Sequence, residues 1–140
     1  MTHCRPFHLA IPVPDLEKAK LFYKEILGCE EGRSDDTWVD FNFFGHQLVF
    51  HLDNSRNWEL NCNSVDSKQV PLPHFGVVLE FSVWEALAQK LRQKNISFEI
   101  EPYIRFKGEK GEQGTFFFRD PNGLALEFKY FQSDDSLFEY

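Results

Sequence analysis

The stretch VPLPHFGVVLEF, residues 70–81, decides the fold. After its prolines it reads as a buried strand: Phe75, Val77, Leu79 and Phe81 face one way. His74, Gly76 and Val78 face the other, joined by Glu80 if the strand stays regular. An imidazole therefore stands at the mouth of an apolar strand. RPFHLAIPV, residues 5–13, repeats the design: Phe7, Leu9, Ile11 and Val13 share one face, His8 and Ala10 the other.

The segments after these two strands are also alike. After Pro14, Asp15 is placed to cap a helix in which Leu16, Ala19, Tyr23, Ile26 and Leu27 form one stripe, with Phe22 at its edge and Gly28 as the stop. Strands are predicted over 37–43 and 46–52, with a brief FGH hairpin between them and a weaker strand over 30–34. In the second half, Ser82 and Glu85 have capping-box spacing. Trp84, Leu87, Ala88 and Leu91 make that helix's stripe, and Asn95 is placed to end it. Strands are predicted over 97–103, 114–119 and 124–131, with DPNG at 120–123 as a turn. Module one thus spans 5–53 and module two 73–131, within one domain of 5–131. A polar connection, 54–72, has the length of a flap or a linker, and 132–140 is a tail that either docks on a partner or stays disordered. Strand, helix, then a run of strands is an α+β pattern with each helix on one sheet face.

Composition narrows the function. A formal net charge of −7 argues against nucleic acid. No apolar run reaches the roughly 20 residues that span a bilayer, and the N-terminus lacks a signal-peptide core. Cys4, Cys29 and Cys62, without CxxC spacing, point to free thiols and a cytoplasmic location. Sixteen phenylalanines imply a ring-rich core or pocket.

GLALEFKYF, residues 123–131, supplies a third polar group. Leu124, Leu126 and Phe128 share one face; Ala125, Glu127 and Lys129 share the other. A small residue stands two positions from each polar group: Ala10 from His8, Gly76 from His74, Ala125 from Glu127. Small neighbours leave room for a bound molecule. Two imidazoles and a carboxylate are the donors of a facial Fe(II) site, and zinc, nickel or manganese accept the same set. Taken singly, each histidine also reads as a hydrogen-bonded surface residue, and Glu127 as a partner of a lysine or of water.

FHLAIPVPDLEKAKLFYKEILG, PHFGVVLEF and FFFRDPNGLALEFK together resemble the vicinal oxygen chelate superfamily: glyoxalases, bleomycin- and fosfomycin-resistance proteins, methylmalonyl-CoA epimerases and type I extradiol dioxygenases. RFKGEKGEQGTFFFRDPNGLALEFK is most similar to a group described as predicted extradiol dioxygenases. The resemblance implies two tandem βαβββ modules forming an incomplete eight-stranded barrel around a metal. It implies His8, His74 and Glu127 as the ligands, a small-molecule substrate and a homodimer. The further glutamate ligand of glyoxalases falls on His51, and the acid–base histidine of extradiol dioxygenases falls near His46.

Ligand number separates the reactions. Three protein ligands leave room for a catecholate and dioxygen, as in extradiol cleavage with Fe(II), where His46 or His51 would manage protons. A fourth at His51 suits a glyoxalase- or epimerase-like isomerase or a lyase, where the metal acts as a Lewis acid. A non-catalytic binding protein is the third reading, and the metal triad argues against it. Phe117 stands where ring-cleaving enzymes of this resemblance carry a substrate-binding tyrosine. Arg105, Lys107 and Arg119 are the cations available for a substrate carboxylate or phosphate, although Lys107 also reads as an offset to nearby glutamates.

Overall fold

Both predicted strand–helix–strand runs form. The computed structural model describes residues 4–58, 61–65 and 68–138. The chain divides into two compact units: Met1–Glu59 with Asp120–Gly123, and Leu60–Arg119 with Leu124–Tyr140.

In the first unit, β1 (His8–Val13) leads into α1 (Leu16–Leu21), then β2 (Glu30–Asp35), β3 (Trp38–Phe43) and β4 (His46–Leu52). The sheet order is β1-β4-β3-β2, with β1 parallel to β4. Asp15 caps α1 by accepting from the Lys18 N–H at 3.0 Å. Beyond Leu21 the helix widens into a π turn, Phe22–Ile26. The wider turn rotates the stripe, so Phe22 is buried where Ile26 was expected. The hairpin from β3 to β4 turns through Phe44 (φ 52°) and Gly45 (φ 90°), two left-handed residues whose twist matches the strands.

Turn DPNG belongs to this unit. Asn122 accepts from the Asp15 N–H and donates to the Asp15 carbonyl, both at 2.9 Å, tying the turn to the start of α1. The buried Tyr23 hydroxyl donates to Asp120 at 2.8 Å. Burial and then the Asp120 charge push the Tyr23 phenol well above its ordinary pKa. Tyr23→Phe leaves a buried carboxylate short of one donor, and we expect a loss of about 1–2 kcal/mol in urea denaturation.

In the second unit, β5 (Asn61–Val65) and β6 (Lys68–Leu72) form an antiparallel hairpin inside the polar connection. Then come β7 (His74–Phe75), β8 (Val78–Leu79), α2 (Phe81–Gln93), β9 (Phe98–Arg105), β10 (Gln113–Arg119) and β11 (Ala125–Phe131). The order β7-β11-β10-β9, with β8 also on β11, repeats the first sheet. The expected continuous strand over 74–81 is interrupted at Gly76–Val77 and ends before Phe81, which starts α2. Glu80 is the N-cap and Ser82 lies inside the first turn, so the Ser82–Glu85 spacing forms no cap. Asn95 does end the helix region, in the left-handed conformation (φ 59°). Trp84, Leu87, Ala88 and Leu91 are buried, as are Phe116, Phe118, Leu126 and Phe128 on one sheet face. The Trp84 indole N–H donates to the Phe128 carbonyl at 2.9 Å, fixing α2 to β11. In the tail, Asp134–Leu137 forms a 3-10 turn capped by Ser133.

Mixed α+β architecture with two open βαβββ sheets is thus as expected. Neither Cys4 nor Cys29 is in a disulfide; the Cys62 side chain lies outside the described residues. No helix among the described residues is long and apolar enough to cross a membrane.

Candidate metal centre and cavity

His74 enters the second unit's open face as the first residue of β7. Its Nδ1 lies 2.8 Å from the Pro71 carbonyl. A carbonyl only accepts, so Nδ1 carries the proton and the neutral ring presents a bare Nε2. Nε2 lies 3.5 Å from Glu127 Oε1, and the other Glu127 oxygen accepts from the Thr115 hydroxyl at 2.7 Å. The contact with Glu127 is the main cause of a raised His74 pKa; burial opposes it and the Pro71 carbonyl adds to it. Burial pushes the Glu127 carboxyl up, but the contacts from His74 and Thr115 and the Lys129 charge outweigh it and hold it below the ordinary value.

These donors fit a divalent cation. Two ligand atoms each at 2.0–2.2 Å from an ion, at angles between about 90° and 110°, lie roughly 2.8–3.6 Å apart. That is long for a tight imidazole–carboxylate hydrogen bond and natural for two neighbours around one ion.

His8 in the first unit is prepared in the same way. Its Nδ1 lies 2.8 Å from Gln47 Oε1, and the Gln47 amide nitrogen donates to Asp40 at 3.4 Å. Since Asp40 only accepts, the amide nitrogen must face it and the amide oxygen must face His8. Nδ1 is therefore again the donor, leaving Nε2 as the bare nitrogen of the neutral ring. Among the described residues, no group of three His, Cys, Asp or Glu side chains forms a ready cluster.

Register locates the other histidines. On β11 the partner of His74 is Ala125, so Glu127 stands two residues beyond it. On β4 the partner of His8 is Gln47, and two residues beyond that is Val49, which is 6% exposed. The first unit's counterpart of Glu127 is Val49; His51 comes one pleat later, exposed, on the same face as His8. His46 pairs with Phe43 on the opposite face, where Val39, Phe41 and Phe50 also point. Its Nδ1 accepts from the Phe7 N–H at 3.0 Å.

An open cavity of about 200 Å³ adjoins the His74–Glu127 pair. Val70, Ile100 and Phe117 give apolar walls, and the Phe117 ring meets His74 edge-on at 5.0 Å. Arg105 lines it. Lys107 lies on the exposed 106–110 turn, and Arg119 pairs with Glu99 at 3.0 Å; neither lines this cavity. Lys129, Tyr103 and Thr115 do line it and were not singled out for substrate binding. The alternation that placed Lys129 beside Glu127 was signal enough to find it.

The profile of the Glyoxalase/Bleomycin resistance protein/Dioxygenase superfamily matches residues 5–128. Proteins of this superfamily act on small molecules, generally use divalent metals and often dimerise. A crystal structure of a glyoxalase/bleomycin resistance protein/dioxygenase from Alicyclobacillus acidocaldarius is 34% identical, with 95% of this chain and 96% of that chain covered and a TM-score of 0.78. Glutathione transferase FosA of Serratia marcescens is 25% identical over 120 residues, 86% of this chain and 76% of that protein. A lactoylglutathione lyase from Agrobacterium tumefaciens, 17% identical over 96% of both chains, shares the fold with a TM-score of 0.65. The matched span, the repeated sheets and their paired first and last strands agree: the chain belongs to the glyoxalase/bleomycin resistance protein/dioxygenase superfamily.

Proposed function

We propose that this chain is a metal-dependent enzyme on a small chelating substrate, with His8, His74 and Glu127 as its protein ligands. The observation that carries the reading is the preparation of both imidazoles: each Nδ1 is held by an oxygen acceptor, leaving Nε2 for a cation. Val49 at the place equivalent to Glu127 favours three protein ligands over four. A cation so held supplies Lewis acidity or, as Fe(II), dioxygen chemistry. Zinc, nickel and manganese fit the same donors.

Extradiol-type cleavage suits an open three-ligand set. His46 is not assigned as its acid or base, because it points to the helix side of its sheet, opposite the face of His8. A proton relay would fall to His51 or to the substrate itself. Group transfer to a small electrophile is the second reading, favoured by the likeness to a protein named glutathione transferase and by the cationic cavity. A glyoxalase-like isomerase needs a fourth donor that Val49 does not provide.

The test is metal content of the untagged protein beside His8→Ala, His74→Ala and Glu127→Ala. Each variant is expected to lose metal; equal content in all four proteins ends the reading. Oxygen uptake by the Fe(II)-loaded protein with a catechol panel, set against thiol consumption with electrophilic substrates, separates the two reactions. Gln47→Leu frees the His8 ring to turn, and we expect about 10-fold weaker metal binding by calorimetry, with Gln47→Glu restoring it.

A further inference from the structure

The open face of the second sheet is a ladder of three rows. Across β9, β10 and β11 the first row is Ile100, Phe117 and Glu127; the second is Tyr103, Thr115 and Lys129; the third is Arg105, Gln113 and Phe131. On β10 and β11 successive rows lie two residues apart, about 7 Å along the strands; β9 takes an extra residue between Ile100 and Tyr103, where its register shifts. All of these residues except Phe131 line the cavity.

Charge along this ladder changes sign. Glu127 is the one carboxylate among the described lining residues, and it sits in the first row beside His74. The second and third rows hold Lys129 and Arg105. Lys68 adds a positive charge, its Nζ 4.9 Å from the centre of the Tyr103 ring. In a chain of net charge −7, this is a local reversal. The cations also rest on rings: Lys129 Nζ is 5.1 Å from the Phe131 centroid, and the Arg105 guanidinium 5.2 Å from that of Phe106. A ring positions a cation without cancelling its charge.

We propose that the cavity selects a small two-ended oxyacid: chelating oxygens at the His74–Glu127 end, and an oxyanion one row away, about 7 Å along the strands, held by Lys129, with Arg105 closing on it from the third row. This rests on the metal reading for its first end only. It goes beyond that reading by assigning Lys129 a substrate-binding role and by fixing the distance between the two polar ends of the substrate. Carboxylate and phosphonate share the recognised chemistry; the spacing, rather than the central atom, sets the choice.

Two ligands with one chelating head test the spacing. Pyruvate has a 2-oxo acid head and no second anion; 2-oxoglutarate adds a distal carboxylate at roughly the required separation. With Mn²⁺-loaded full-length protein, calorimetry is expected to find 2-oxoglutarate at least 10-fold tighter than pyruvate. Lys129→Met and Arg105→Met should each narrow that gap, while Mn²⁺ binds at least as tightly as in the parent. Equal affinity for the two ligands, or a gap that survives both substitutions, overturns the proposal. A metal-free arm keeps the two readings apart: inorganic phosphate should shift the Lys129 side-chain NMR signals of the parent and not of Arg105→Met. Failure of Mn²⁺ to bind the parent sinks the metal reading alone. Absence of the phosphate shift sinks the anion site, whatever the metal does.

Discussion

Gly76→Ala is expected to disrupt the second unit more than any other one-carbon change. Gly76 lies between β7 and β8, directly against Glu127 in the parallel register that carries His74 onto Ala125. A methyl group there would fall 1.5 Å from the Glu127 backbone carbonyl oxygen and 2.6 Å from its carbonyl carbon. Backbone cannot swing aside as a flexible side-chain tip can, so β7–β8 would have to part from β11. Overpacking a tight site costs about 1–3 kcal/mol, and a clash with main chain belongs at or above the top of that range. His74 and Glu127 would separate with the strands, so the substitution should lower both urea stability and metal stoichiometry. Val78→Ala, at a position 42% exposed on the same segment, is the control and should change neither by much. If Gly76→Ala unfolds at the parent's midpoint, the close approach is wrong.

Gly76 also shows where sequence reasoning reached its limit. Its small size was legible, but the expected reason was room for a bound molecule. The structure gives a different one, the approach of a neighbouring main chain. Strand alternation reports which way a side chain points and says nothing of which residue lies opposite. For that reason the faces of Leu126, Glu127 and Lys129 were readable, and so were the cap at Asp15 and the hairpin after Phe43. The place of Val49 required the pairing of β1 with β4, which no single strand encodes. The π turn at Phe22–Ile26 was hidden because a helical stripe assumes a constant period. Hairpin β5–β6 was hidden by its polar composition and by Pro71, both of which favour a loop reading. The bonds from Asp120 and Asn122 to Tyr23 and Asp15 join positions about a hundred residues apart, beyond any local pattern.

Glu127→Gln should remove the metal while leaving the fold intact. The amide keeps the shape of the carboxylate and can still accept from Thr115, so packing is preserved. What is lost is the negative charge and its hold on a cation. Outer partners of metal ligands alone are worth 10- to 100-fold in affinity, so loss of a ligand's charge should weaken binding by at least about 100-fold. The apo-protein offers an independent readout. Contact with Glu127 raises the His74 pKa, while Glu127 itself is held below the ordinary carboxyl value. The histidine's contribution to stability is complete below the unfolded imidazole pKa and fades as pH rises through the folded one. The carboxylate's is complete above the unfolded carboxyl pKa and fades as pH falls through the folded one. Their pairing therefore stabilises most between about pH 4.3 and pH 6.5, the ordinary values of the two groups. Glu127→Gln should abolish this maximum and lower the His74 pKa in an NMR titration. Metal affinity in the parent runs the other way, rising with pH as the His74 proton leaves. An unchanged His74 titration in the variant would show that the two groups do not meet, and the metal assignment would fall with it.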